Sequence, residues 1–284
     1  MESFPSSAPK GRGASGNPAN RFERVAVELE VPGPDRVPTE LLRKELSSRK
    51  WKPQVIALSG NTDCYQPAER KLEITRRCLA VLAEFRNPVG VITKNELVTR
   101  DIDHLQALAE HGAVAVSLSI TTLDGELARR MEPRASHPRD RLKAIERLAA
   151  AGIPTSVMVA PVVPGLTDHE IPKILEAAAA AGAQTAGYVV LRLPGAVAGL
   201  FESWLTEHFP DRKDKVLNRV REMRGGQLYD PTFGQRMKGE GIFAEQIRST
   251  FLTFRRRYGL DRPRPELSTA AFRRPGEQLA LFDS

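Results

Sequence analysis

Gln54 to Asn95 read QVIALSGNTDCYQPAERKLEITRRCLAVLAEFRNPVGVITKN. Val55 to Leu58 is apolar without alternation, which predicts a strand covered on both faces. Ser59 to Asp63 follows, small and polar, where an α/β sheet places its ligands. Ile74, Cys78, Val81, Leu82 and Phe85 share one face of a helix. Asn87 and Pro88 end that helix. Val89 to Ile92 gives a second buried strand, and Thr93 to Asn95 a second polar tip. Two successive strands that each end in a polar cluster predict a ligand-binding α/β layer.

The pattern extends outward in both directions. Downstream, strands are expected over Ala113 to Ile120, Thr155 to Val163 and Thr185 to Leu193, with helices between them. In the first of these, Ser117 and Ser119 alternate with Val116, Leu118 and Ile120. Gly152 and Gly182 close helices as C-caps. Thr167 with Glu170 reads as a capping box. Upstream, Thr39 to Arg49 is an amphipathic helix, and Val25, Val27, Leu29 and Val31 alternate as a strand does. Helices follow near Val197 to His208, Arg212 to Arg224 and Phe243 to Tyr258. Five strands without hairpin signals imply parallel pairing and right-handed crossovers, hence an α/β fold, a partial (β/α) barrel or an open sheet. The domain reading is a disordered tail over 1–22, the barrel over 23–224, a helical extension over 225–260, and a flexible basic tail over 261–284.

With 284 residues, 41% hydrophobic and 27% charged, the composition is that of a globular α/β protein. No run spans a membrane, and two cysteines make no disulfide framework, which points to the cytoplasm. The net charge of +7 permits a nucleic-acid partner. Phosphate-loop, dinucleotide, nucleophile-elbow and paired-cysteine zinc motifs are absent. Cys64 lies in the first polar elbow, either as a nucleophile or as a bystander thiol, and Cys78 sits on the core face. Lys94, at a strand tip, is a solvated lysine or a cation set for a carboxylate or phosphate. Glu132 and Arg134 are a local ion pair or a ligand clamp.

Several stretches together resemble a family of bacterial radical S-adenosylmethionine proteins related to spore photoproduct lyase. They are KGRGASGNPANRFER (10–24), the segment 51–95, SLSITTLDGELARRMEPRASHPRDRLKAIERLAAAGIP (117–154), VMVAPVVPGLTDHE (157–170) and HFPDRKDKVLNRVREMRGG (208–226). The resemblance implies a partial (β/α) barrel that binds S-adenosylmethionine across its strand ends. It places Asn61, Thr62 and Asp63 near the methionine part, Lys94 and Ser119 on the carboxylate, and the loop from Pro161 to Gly165 near the adenosine. Glu132 and Arg134 join this cofactor-binding set. The family's cofactors are S-adenosylmethionine and a [4Fe–4S] cluster held by a CxxxCxxC loop.

That loop is missing here, because Pro32 to Pro38 directly joins the Val25 to Val31 segment to the next helix. The expectation is therefore a chain without the cluster and without radical chemistry. Three readings follow: a member that has lost its activity, a repurposed binding protein, or a cluster-free enzyme using Cys64. Val25 to Val31 is expected to pair as a substitute edge strand beside Val55 to Leu58. At the end of the sequence, Gln278, Leu279, Leu281 and Phe282 form a QLxLF peptide. It resembles the one with which bacterial proteins dock on the DNA sliding clamp.

Overall fold

The computed structural model describes residues 38–58, 62–232 and 236–275. One parallel sheet organises them: β1 (Ile56–Leu58), β2 (Val89–Thr93), β3 (Val114–Ser119), β4 (Thr155–Val162) and β5 (Thr185–Val190), in spatial order β1-β2-β3-β4-β5. Sequence neighbours are thus spatial neighbours, as βα units demand. The expected five strands and their α/β class are observed. The segment Val25 to Val31 lies outside the described residues.

The crossovers are α2 (Glu69–Leu72) and α3 (Ile74–Phe85), then α4 (Ile102–Ala109), α5 (Gly125–Met131) with α6 (Pro138–Ala150), and α7 (Ile171–Ala180). Helix α1 (Pro38–Ser47) packs on α3, where Arg43 pairs with Glu84 at 2.6 Å. Helices α8 (Val197–His208), α9 (Pro210–Glu222) and α10 (Gly241–Arg257) follow the sheet. None of the helices among the described residues is long and apolar enough to cross a membrane.

Alternation divides the sheet into two faces. Val89, Val91, Val114, Val116, Leu118, Val157, Val159 and Tyr188 are buried in the core against the helices. The inner face carries mostly small or polar residues in register, Ala57 beside Gly90 beside Ala115 and Ser117 beside Ser156, with Ile92 next to Ser117 as the large apolar exception. Strands covered on both faces were expected from the apolar runs. Among the described residues the inner face is instead open. Ile92 is 42% exposed, and a Cβ added at Gly90 would meet nothing within 4 Å. The runs misled because Gly90 and Ala57 count as apolar in sequence yet bury no bulk. The hydroxyls of Ser117 and Ser156 satisfy each other across the strands at 2.6 Å.

The capping box at Thr167 is not formed. The Thr167 hydroxyl accepts from Val163 N at 2.9 Å, and Glu170 reaches away to Thr122 Oγ1 at 2.5 Å and Leu123 N at 2.8 Å. Both groups have partners outside the helix, and those of Glu170 tie the β4 loop to the β3 loop.

The basic stretch after Leu260, expected as part of a flexible tail, is bonded to the protein as far as Arg274. It crosses the N-terminal strand ends as a strap, in reverse strand order. Asp261 bridges to Thr185 at β5, and Ser268 N donates to Gly112 O before β3 at 2.9 Å. Arg273 N donates to Phe85 O before β2 at 2.9 Å, and Arg274 Nη2 to Trp51 O before β1 at 3.1 Å. The free edge of β5 is also covered, since Ala186 N bonds Leu260 O and Val190 N bonds Met237 O at 2.8 Å. Covered edges resist pairing with other chains.

Candidate functional site

The polar groups converge at the C-terminal ends of β1, β2 and β3. Asp63, after β1, accepts from Thr93 Oγ1 at 2.7 Å, Lys94 N at 2.7 Å and Tyr65 N at 2.9 Å. It fixes the first elbow to the tip of β2. The Lys94 ammonium extends from that tip to Glu132 Oε1, with which it forms an ion pair. Glu132 follows α5 and is the hub. Its Oε1 also accepts from Thr121 Oγ1 at 2.7 Å, and its Oε2 from Arg141 Nη2 at 2.7 Å.

Arg141 completes the arrangement from α6. It is 1% exposed and donates to Ser119 O at 2.9 Å and Ser136 O at 2.7 Å. Burial alone would raise the Glu132 pKa, but Lys94 and Arg141 outweigh it and hold the carboxyl below its ordinary value. The result is a buried carboxylate between two cations, with the lysine partly exposed at the rim of the open inner face.

The sequence-derived site is brought together only in part. Asp63, Lys94, Ser119 and Glu132 meet at the strand ends. Asn61 lies outside the described residues, and Thr62 is exposed beside it. Arg134 is exposed on the turn after Glu132 and takes no part in the Glu132 ion pairs, so the two do not form the local ion pair. Pro161 is half-buried near the end of β4. Gly165 leaves the group. The register shifts between Val159 and Val162, and Gly165 faces Arg219 of α9. Gln278, Leu279, Leu281 and Phe282 lie outside the described residues.

Arg141 escaped the sequence reading. It had a visible signal, a charged residue on the same helical stripe as Ala144, Ile145 and Leu148.

The first elbow is held by a separate buried network. Asp101 is fully buried and accepts from Tyr65 Oη at 3.0 Å, Arg100 Nε at 2.7 Å and Arg76 Nη1 at 3.1 Å. Glu69 caps α3 through Thr75 N at 3.0 Å and pairs with Arg100 at 2.8 Å. Every one of these polar atoms has a partner, so the network serves as scaffold.

The thiols are ill suited to chemistry. Burial, with Asp63 beside it, pushes the Cys64 thiol up far beyond its ordinary value. Burial, with Glu69 nearby, raises Cys78 to about 11. Both are held protonated, which disfavours nucleophilic attack. Cys78 is also buried on α3.

Comparison with known proteins follows the same lines. Residues 20–178 match the sequence profile of the Radical SAM superfamily. An uncharacterized protein of Mycobacterium tuberculosis is 33% identical over 226 residues, covering 78% of this chain and 63% of that protein. An uncharacterized protein of Methanocaldococcus jannaschii is 30% identical over 115 residues, 40% of this chain and 43% of that one. The chain therefore spans less than two thirds of the length of the curated relatives it matches. Among solved structures, a variant of spore photoproduct lyase superposes with a TM-score of 0.58 at 14% identity, over 78% of this chain and 63% of that one. Another, complexed with dinucleoside spore photoproduct, gives 0.55 at 14% identity with the same coverage. These structures share the fold.

Proposed function

Because this chain belongs to the radical S-adenosylmethionine superfamily, we propose that it binds S-adenosylmethionine or a ligand of that kind on its inner face without generating an adenosyl radical from its own residues. The donor set carries this reading. A [4Fe–4S] cluster is held by several thiolates converging on one point, and this sequence has two cysteines, Cys64 and Cys78. Cys78 is buried on α3, and Cys64 is partly buried in the first elbow. Among the described residues no group of three or more His, Cys, Asp or Glu could hold a metal ion. The residues do not fit the cluster.

They do fit the organic cofactor. The amino-acid end of S-adenosylmethionine carries one carboxylate and one ammonium. Lys94, partly exposed at the rim of the open face and held from behind by buried Glu132, offers a cation to the ligand's carboxylate, and the small residues Gly90, Ala115 and Ser117 leave room above the sheet.

Two titrations test this. Calorimetry of the iron-free chain with S-adenosylmethionine should show saturable binding, weakened about tenfold or more in Lys94→Met, the loss of one charge-assisted contact. Anaerobic incubation with iron and sulfide should leave the chain without a stoichiometric cluster. Binding only after iron and sulfide are loaded, or a stable cluster on the isolated chain, overturns the reading.

A second reading concerns the partner. The strap leaves the described chain at the N-terminal ends of the strands, away from the ligand rim. A docking peptide at Gln278 to Phe282 would then tether the protein to a DNA sliding clamp with the inner face unobstructed, linking it to nucleic-acid metabolism. Clamp capture by the full chain, abolished in Phe282→Ala, tests it.

A further inference from the structure

A cleft of about 550 Å³ opens outside the inner face, between the turn after β4 and helices α9 and α10. Arg212, Lys215 and Arg219 line it from α9, at spacings that put them on one helical face. The other face of α9 buries Val216, Leu217 and Val220. Asp168 is the one carboxylate in the lining. It accepts from Arg219 Nη1 at 3.2 Å, while the Arg219 guanidinium lies 4.5 Å from the centre of the Phe243 ring.

Arg212 and Lys215 are exposed and form no ion pair with the described residues, in contrast to Lys213, which pairs with Glu202 at 3.1 Å. Gln246 and Thr250 of α10 add uncharged donors, and Pro172, in the first turn of α7, places the positive end of that helix at the cleft. Three cations against one carboxylate leave two positive charges unmatched, the charge complement of a phosphomonoester dianion.

We propose that this cleft is a binding site for a phosphate group, free or carried on a small phosphorylated molecule. Arg212 and Lys215 supply the two unmatched charges. Arg219, held by Asp168 and Phe243, is the fixed donor. Gln246 and Thr250 complete the hydrogen bonding that a tetrahedral oxyanion demands.

The test is calorimetry on the full chain at constant ionic strength, with inorganic phosphate in one arm and adenosine 5′-monophosphate in the other. Saturable binding is expected, about tenfold weaker or more in Arg212→Gln/Lys215→Gln and unchanged in Lys143→Gln, which removes an exposed charge from α6. The single variant Lys215→Gln, at an exposed position, serves if the double variant misfolds. Tighter binding of the nucleotide assigns a carried phosphate, and equal binding assigns the free ion. Absence of saturable binding in both arms, undiminished affinity in the cleft variants, or equal weakening in Lys143→Gln overturns the proposal.

Discussion

At the residue scale, Glu132 and Arg141 form a buried pair with no slack. A buried charge is tolerated only while its partners remain, and removing one partner of such a pair costs about 3–5 kcal/mol. Arg141→Leu should therefore lower the free energy of unfolding by about that amount in urea titration. Glu132→Gln should also destabilise, because its one amide oxygen can replace either the acceptor of Arg141 or that shared by Thr121 and Lys94, but not both. The pH dependence has a definite sign. The Glu132 carboxyl is held below its ordinary value of 4.5 in the folded state. Its contribution is thus present above that value and is lost as pH falls through the lower folded value. Urea midpoints should decline on acidification below about pH 4.5, and less steeply in Lys94→Met. The thiols give an independent check: neither Cys64 nor Cys78 should react with a disulfide reagent at neutral pH until the chain is unfolded. Lys94 and Glu132 could be picked out in the sequence because each sits where a strand or helix ends. Their pairing with each other could not, since 38 residues separate them.

At the element scale, the strands were legible because Val-rich runs flanked by polar tips recur with helical stripes between them. That residue 165 faces Arg219 of α9 was illegible, because a register shift inside β4 leaves no mark in Val159 to Val163, an apolar run in either register. The strap was illegible for a different reason. Its bonds are mostly from backbone groups or arginine to backbone carbonyls, and such bonds leave no hydrophobic period. Phe272 is its apolar anchor, 6.3 Å from the Phe85 ring centre. Phe272→Ala should cost about 1–2 kcal/mol for a partly buried ring. Thermal melting should register that as a drop of about 2–4 °C for each kcal/mol at this chain length.

At the scale of the whole molecule, the sheet is built from contacts between sequence neighbours, whereas the strap joins Arg274 to Trp51, 223 residues apart. Local contacts form early and distant ones late, because the entropy of closing a long loop precedes any gain from it. Synthesis sets the same order. Every strand precedes the strap in the sequence, so a ribosome adding about 5–20 residues each second makes the whole sheet before it makes the segment that covers its base. During that interval Phe85, Gly112 and Trp51 present unbonded carbonyls. A nascent protein of this design is thus guarded along its strands well before it is guarded underneath.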